Sequence, residues 1–481
     1  MNKKKEIAQI LIQNTNFSIN DKENLFENLG KIANILQDEV YLELIRNEGG
    51  IELLLKIIQK HYEEIDIIQR AVVNLVNMSS DEENGKIILK YQGMEICSSL
   101  MNKWKLNKRL QMSCAKWLLN LSYVVEDVSL IQNLNSIIYT LFFILEYHKD
   151  SSEIVIQIFQ TLSSFAYNIE ESLGIIANDA AFQFIPKIII SYTNTNEFID
   201  VVSNGLTTLS NFSLSQINAI LMGFSHVVEL IPLIMNKFSN QPQIIEKLFD
   251  LITNLAVNQY NIKTLGSQKY STIEFIMTKL NDYYNIPSLV LSSLRCLFNL
   301  CEAKENKAII TSSNYFYDLM VFLKETIPYE KIQNILLKLF IHLTYEIEDQ
   351  IKFVNKNGLE YVCSSMETHQ ESQEIIVSSL RLISNIGYCE EGREKMADSG
   401  ALYSVISVIK REIQTPQIVS LALGALMNIS NHENNRKVLL HLGAEDLLST
   451  ILKGYYLDQE ISEKTRSTLI NLNIGERFFN F

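Results

Sequence analysis

Apolar residues return along the chain at helical spacing, and the helices they predict return in turn. From Glu371 to Gly387, apolar side chains stand at Ile375, Ile376, Leu380, Ile383 and Ile386, one face of a helix with 3.6 residues per turn. A polar turn, Tyr388 to Gly392, follows, and then a short helix is predicted over Arg393 to Asp398, closed by Ser399-Gly400. A second helix, Leu402 to Arg411, carries Leu402, Val405, Ile406, Val408 and Ile409, and Gln414-Thr415-Pro416 opens the next long helix. Each unit therefore reads short helix, helix, long helix. Ahead of the first unit, Glu6 to Ile12 predicts one short amphipathic helix.

The long helix carries a signature. Leu118-Leu119-Asn120-Leu121-Ser122 returns as Asn77-Met78-Ser79, Leu209-Ser210-Asn211-Phe212-Ser213, Ile252-Thr253-Asn254-Leu255, Leu297-Phe298-Asn299-Leu300, Ile383-Ser384-Asn385-Ile386 and Leu426-Met427-Asn428-Ile429-Ser430. Weaker copies lie at Asn34 and Asn471, and two copies replace the Asn, with Ser164 and His342. Successive markers are separated by 43, 43, 44, 47, 43, 45, 43, 43, 43 and 43 residues. A period in the forties belongs to helical solenoids. The interval of 47, between Ser164 and Asn211, predicts a short insertion near 191–198, in Ser191-Tyr192-Thr193-Asn194-Thr195-Asn196.

Turn residues mark the same boundaries. Gly50, Gly93 and Gly358 follow their markers by 16 residues, and Gly400 and Gly443 by 15; Gly at such a place suits a left-handed position closing the short helix. Pro242, Pro287 and Pro416 each precede a marker by 12 residues, where Pro is tolerated at a helix start. Pro186 and Pro232 fall near the expected start of the second helix. Glu83-Asn84-Gly85-Lys86, Glu305-Asn306-Lys307 and Asn434-Asn435-Arg436-Lys437 recur at the short helix.

A three-helix unit of this length, with Asn434-Asn435-Arg436-Lys437, then Gly443-Ala444, then Leu447-Leu448, and with Ala425-Leu426-Met427-Asn428-Ile429-Ser430 before it, resembles the armadillo repeat. The resemblance covers nearly the whole chain. It implies an all-α, right-handed superhelical solenoid of about ten three-helix repeats, with 1–15 as an N-terminal helix or cap and 16–481 as a single continuous array. Asn471 is followed by only ten residues, so the last repeat is partial and its third helix is expected to act as the C-terminal cap. Two-helix HEAT repeats are the alternative, and the Gly after a short first helix favours armadillo.

Composition narrows the chemistry. The chain has 481 residues, 47% of them apolar, and a net charge of −13. Nucleic acid is therefore not an expected main partner, since phosphate binding needs an excess of Lys and Arg. Six cysteines form no CxxC pair and read as buried free thiols in a reducing compartment. No signal-peptide core follows Met1, and the apolar run Ile137 to Leu145 falls short of the roughly 20 residues of a membrane helix. A cytoplasmic protein is expected, with a cytoskeletal or ciliary setting as an option. No catalytic or phosphate-binding motif occurs, the seven histidines show no metal-ligand spacing, and Trp104 and Trp117 read as packing residues. The expectation is a non-enzymatic protein with no cofactor, no metal and no small-molecule substrate.

The candidate site is the marker row itself: Asn77, Asn120, Asn211, Asn254, Asn299, Asn385 and Asn428. Asn is a mediocre helix former, so its return needs a reason. Either its amide binds backbone within or between repeats, or it forms a ladder that holds the main chain of an extended peptide through its donor and acceptor; armadillo proteins resembling this one use the row that way. Four residues before each marker, the family's import receptors typically carry Trp, and no Trp stands there in this chain. Arg295, Lys338 and Arg381 occupy that position in three consecutive repeats. With His342, Asn299 and Asn385 they predict a basic strip, which resembles the β-catenin type of groove that takes acidic, extended partners. The expected function is an interaction scaffold or adaptor binding an extended acidic protein segment; a structural component of a ciliary axoneme and a small-GTPase regulator are the alternatives.

Overall fold

The computed structural model describes residues 2–177, 179–194 and 198–475. Among them every regular element is helical, 31 α-helices and two short 3₁₀ turns. Two compact units divide the chain, Met1–Val257 and Asn258–Phe481.

The unit repeat has the predicted order. One copy runs Glu390–Met396, Ala401–Arg411 and Pro416–Ile429. The short helix begins before its predicted start at Arg393, because Cys389 caps it: its Sγ accepts the Gly392 N–H at 3.2 Å. Pro242, Pro287 and Pro416 open their long helices, where a missing N–H is harmless. Pro186 and Pro232 lie inside second helices, Asp179–Ser191 and His226–Lys237, not near their starts. The first helix of the chain extends over Asn2–Phe17, beyond the predicted Glu6 to Ile12.

The glycine offset has a physical basis. The left-handed backbone sits 15 residues after the marker in five copies, at Gly49, Gln92, Asn357, Gly400 and Gly443. Gly50, Gly93 and Gly358, one residue later, answer a different demand. A Cβ on Gly93 would lie 2.3 Å from Ile88 Cγ2, and one on Gly358 2.4 Å from the Phe353 ring. There the need is close packing.

In the first unit the long third helices pack in sequence, Lys22–Ile35, Ile65–Met78, Lys108–Ser122, Ser152–Asn168, Ile199–Phe212 and Pro242–Leu255. In the second unit the series is Pro287–Leu300, Glu330–Leu343, Gln373–Ile386, Pro416–Ile429 and Gln459–Asn471. Each buries a continuous apolar face, with Trp117, Phe159, Phe249 and Phe340 among the largest fully buried side chains. Of the predicted insertion, Ser191 ends a helix and Tyr192 to Asn194 form a turn; Thr195 and Asn196 lie outside the described residues. Five cysteines are buried and Cys363 is half-buried; burial pushes the Cys301 thiol up to about 12. Among the described residues no single helix is long and apolar enough to cross a membrane.

Candidate binding groove

The marker asparagines are half-buried on the third helices, and most of their amides reach back one repeat. Asn120 Nδ2 donates to Val76 O and Ser79 Oγ, both at 3.1 Å. Asn211 donates to Ser163 O at 3.1 Å and Ser163 Oγ at 2.7 Å. Asn254 and Asn428 repeat the arrangement on Ser210 and Ser384 at 3.1 Å, and Asn471 donates to Met427 O. In these four paired cases the amide nitrogen is turned to the preceding repeat. These bonds give the row a structural role between repeats, one of the two roles expected for it. Among the described residues Asn77 and Asn385 make no such bond to the preceding repeat.

Two further rows stitch repeats together and were not read as such from the sequence. Asn84, Asn218, Asn306 and Asn435, seven residues after their markers, are wholly buried in the short helices. Asn306 Nδ2 donates to Ile262 O of the preceding repeat at 2.9 Å and to Leu300 O at 2.8 Å; Asn435 does the same to Arg393 O and Ile429 O. The recurring Asn of the short-helix motif is this bond. At the end of the second helix, His61, His148 and His369 bond through Nε2 to Ile19 O, Lys105 O and Ile327 O at 2.8, 2.6 and 2.6 Å. A carbonyl only accepts, so Nε2 carries the proton. Tyr192 and Tyr455 hydroxyls fill the same role on Lys149 O and Ile413 O. Three histidines without ligand spacing thus share one repeat position.

The basic strip is only partly assembled. A cavity of about 580 Å³ in the second unit is lined by Lys338, His342 and Arg381 with Phe298, Ile341, Glu374, Val377 and Gln417. Arg295 is exposed on Pro287–Leu300 and does not line it. Lys338 pairs with Glu374 at 3.3 Å, and Glu374 also accepts from Asn334; these two bonds hold its carboxyl below the usual range. Both side chains of the pair are well exposed, so the pair adds little to stability. Arg295 and Arg381 make no ion pair among the described residues.

His342 contributes less positive charge than an ordinary histidine. Its ring packs edge-on to Phe298 with centroids 4.9 Å apart, and burial, then the nearby Lys307 charge, lower its pKa from 6.5. The folded value lies below the unfolded one, so the stability tied to this group is complete above pH 6.5 and is lost as pH falls through the folded value. A bound carboxylate would draw the proton in. Affinity for an acidic peptide is therefore expected to rise as pH falls from about 7.5 to 5.5, and His342→Gln is expected to flatten that rise. A pH series of fluorescence anisotropy titrations checks this; equal slopes for the two proteins would remove His342 from the site.

Comparison with known proteins agrees with the fold. The family profile described as the GAC ARM domain matches residues 235–442. A solved structure from work on a phosphorylation switch controlling the interaction between cadherin and β-catenin aligns with a TM-score of 0.67, over 94% of this chain and 89% of its own. The fold of this chain is an armadillo-like solenoid, and the profile match places armadillo-type sequence within residues 235–442. At 14% identity the likeness to that structure is one of fold. An engineered protein is also similar, at 16% identity over 52% of this chain and 97% of its own, with a TM-score of 0.45. No curated protein matches the sequence.

One more row in this solenoid is not apparent from the apolar period. Three residues after the marker, where the third helix ends, stand Tyr123, Tyr167, Leu214 and Val257 in the first unit and Tyr345 and Tyr388 in the second, all exposed. The spacing was legible once the markers were aligned. Their exposure was not, because the preceding residues of the same helices are buried.

Proposed function

We propose that the chain is a non-enzymatic scaffold whose second unit holds an acidic, extended segment of a protein partner. The observation that supports this is Arg381, unpaired among the described residues, beside Lys338 in an open cavity of a chain with net charge −13. An exposed carboxylate, Glu374, already sits against Lys338, at the place a partner's carboxylate would take. Hydrophobic grip comes from Phe298, Ile341 and Val377, and the exposed Arg295 extends the positive field by one repeat. The cadherin–β-catenin interaction belongs to the structural relative and bears on this chain only as a precedent of fold.

The test is anisotropy of a labelled Asp/Glu-rich peptide of about 15 residues, long enough at about 3.3 Å per residue to span several repeats. The triple charge reversal Arg295→Glu, Lys338→Glu and Arg381→Glu is expected to weaken binding at least about tenfold, and added salt to weaken it in the native protein. Binding that survives the triple reversal would refute the proposal and move the contact to other faces, as expected of an axonemal building block or a regulator of a folded GTPase.

A further inference from the structure

The first unit carries a second groove of opposite character. A cavity of about 370 Å³ lies between the third helices Lys108–Ser122, Ser152–Asn168 and Ile199–Phe212, and the residues lining it are uncharged. Tyr123 and Tyr167 form its rim, 67% and 72% exposed; Gln160, Asn204, Thr207 and Asn211 belong to its walls. The hydroxyls of both tyrosines and the amide of Gln160 make no hydrogen bond among the described residues. Leu214 and Val257 continue the exposed row through the next two repeats.

We infer that this row is a docking surface for a proline-rich segment in the polyproline II conformation. Three observations converge on that occupant. An uncharged wall offers nothing to an acidic or basic peptide. Asn211 Nδ2 is turned to Ser163, and the unengaged tyrosine and glutamine donors suit a ligand of carbonyl acceptors whose prolines have no N–H. The third observation is periodicity. Packed helices are spaced about 8–10 Å apart, and one polyproline II turn of three residues advances about 9 Å. Such a ligand presents the same face to each successive repeat; a β-strand, with side chains alternating every residue, would turn its opposite face to every second one. Aromatic-lined grooves are a known way to hold proline rings. The row of four repeats fits a segment of about 12 residues.

The experiment titrates the full chain into a labelled peptide of about 12 residues in Pro-Pro-Ser repeats, with an alternating Thr-Ser peptide of equal length as comparison. Saturable binding of the proline peptide is expected, with the Thr-Ser peptide at least about tenfold weaker. Tyr167→Ala should weaken proline-peptide binding about tenfold and Tyr123→Ala with Tyr167→Ala about a hundredfold, while Tyr167→Phe, which keeps the ring, stays within about threefold. Circular dichroism of each variant controls for folding, and both side chains are exposed enough to be removed without opening the core. Arg381→Glu should leave this binding unchanged, which separates the site from the one proposed in the second unit. No saturable binding up to about 1 mM, equal binding of the Thr-Ser peptide, or binding indifferent to the tyrosine variants would each overturn the inference.

Discussion

Phe340→Ala is expected to destabilise the second unit by about 3–5 kcal/mol. Phe340 is fully buried, and its ring meets Phe316 at 5.6 Å and Phe353 at 5.1 Å. Those partners lie on Tyr315–Glu325 in the same repeat and Ile347–Asn355 in the next. One truncation therefore opens a cavity at the joint of two repeats. It also loosens Phe353, against which Gly358 packs without room for a Cβ. Solenoid stability is close to a sum of repeat and neighbour terms, so the loss should be local. Hydrogen exchange is expected to show lost protection around residues 315–386, with the N-terminal repeats unchanged. A denaturation midpoint equal to that of the native protein would show that the joint can collapse around the smaller side chain. Phe340→Leu should recover most of the loss.

Asn306→Ala is expected to destabilise by about 2–3 kcal/mol, two buried hydrogen bonds at about 1 kcal/mol each with a small cavity added. The matched change Asn428→Ala, on the marker row, should cost only about 1 kcal/mol, because water can reach the groups it leaves behind. Urea denaturation of both variants in the full chain checks the ranking. A marker substitution as damaging as the short-helix one would mean that the half-buried row is as structural as the buried one. Asn306→Asp is a sharper control. It retains the shape but replaces the donor by a charge facing two carbonyls, Ile262 O and Leu300 O, and should do at least as much harm as alanine.

The repeat architecture was legible because each local signal agrees with the others. The helical period of apolar residues, Pro242, Pro287 and Pro416 at helix starts, and the glycines between helices all report the same boundary. Where a prediction missed, a side chain outside the periodic pattern had intervened: the Cys389 cap lengthened a short helix, and Pro186 and Pro232 were accommodated within helices. The glycine rule needed two reasons, a left-handed backbone at Gly400 and lack of space at Gly93.

The sequence by itself determined the all-helical class, the period of about 43 residues, the order of helices in each repeat and the positions that recur. It did so because secondary structure and burial pattern are local properties, encoded within one turn of helix. Only the tertiary structure decided what those recurring positions do. The Asn amides turn to carbonyls about 44 residues away, Lys338 meets Glu374 one repeat on, burial and the Lys307 charge lower the pKa of His342, and Arg295 stays outside the cavity. The hydrogen-bond partner of each group lies on a neighbouring helix, and the register in which helices stack selects it. That register follows from side-chain packing across the whole interface, which no single repeat contains.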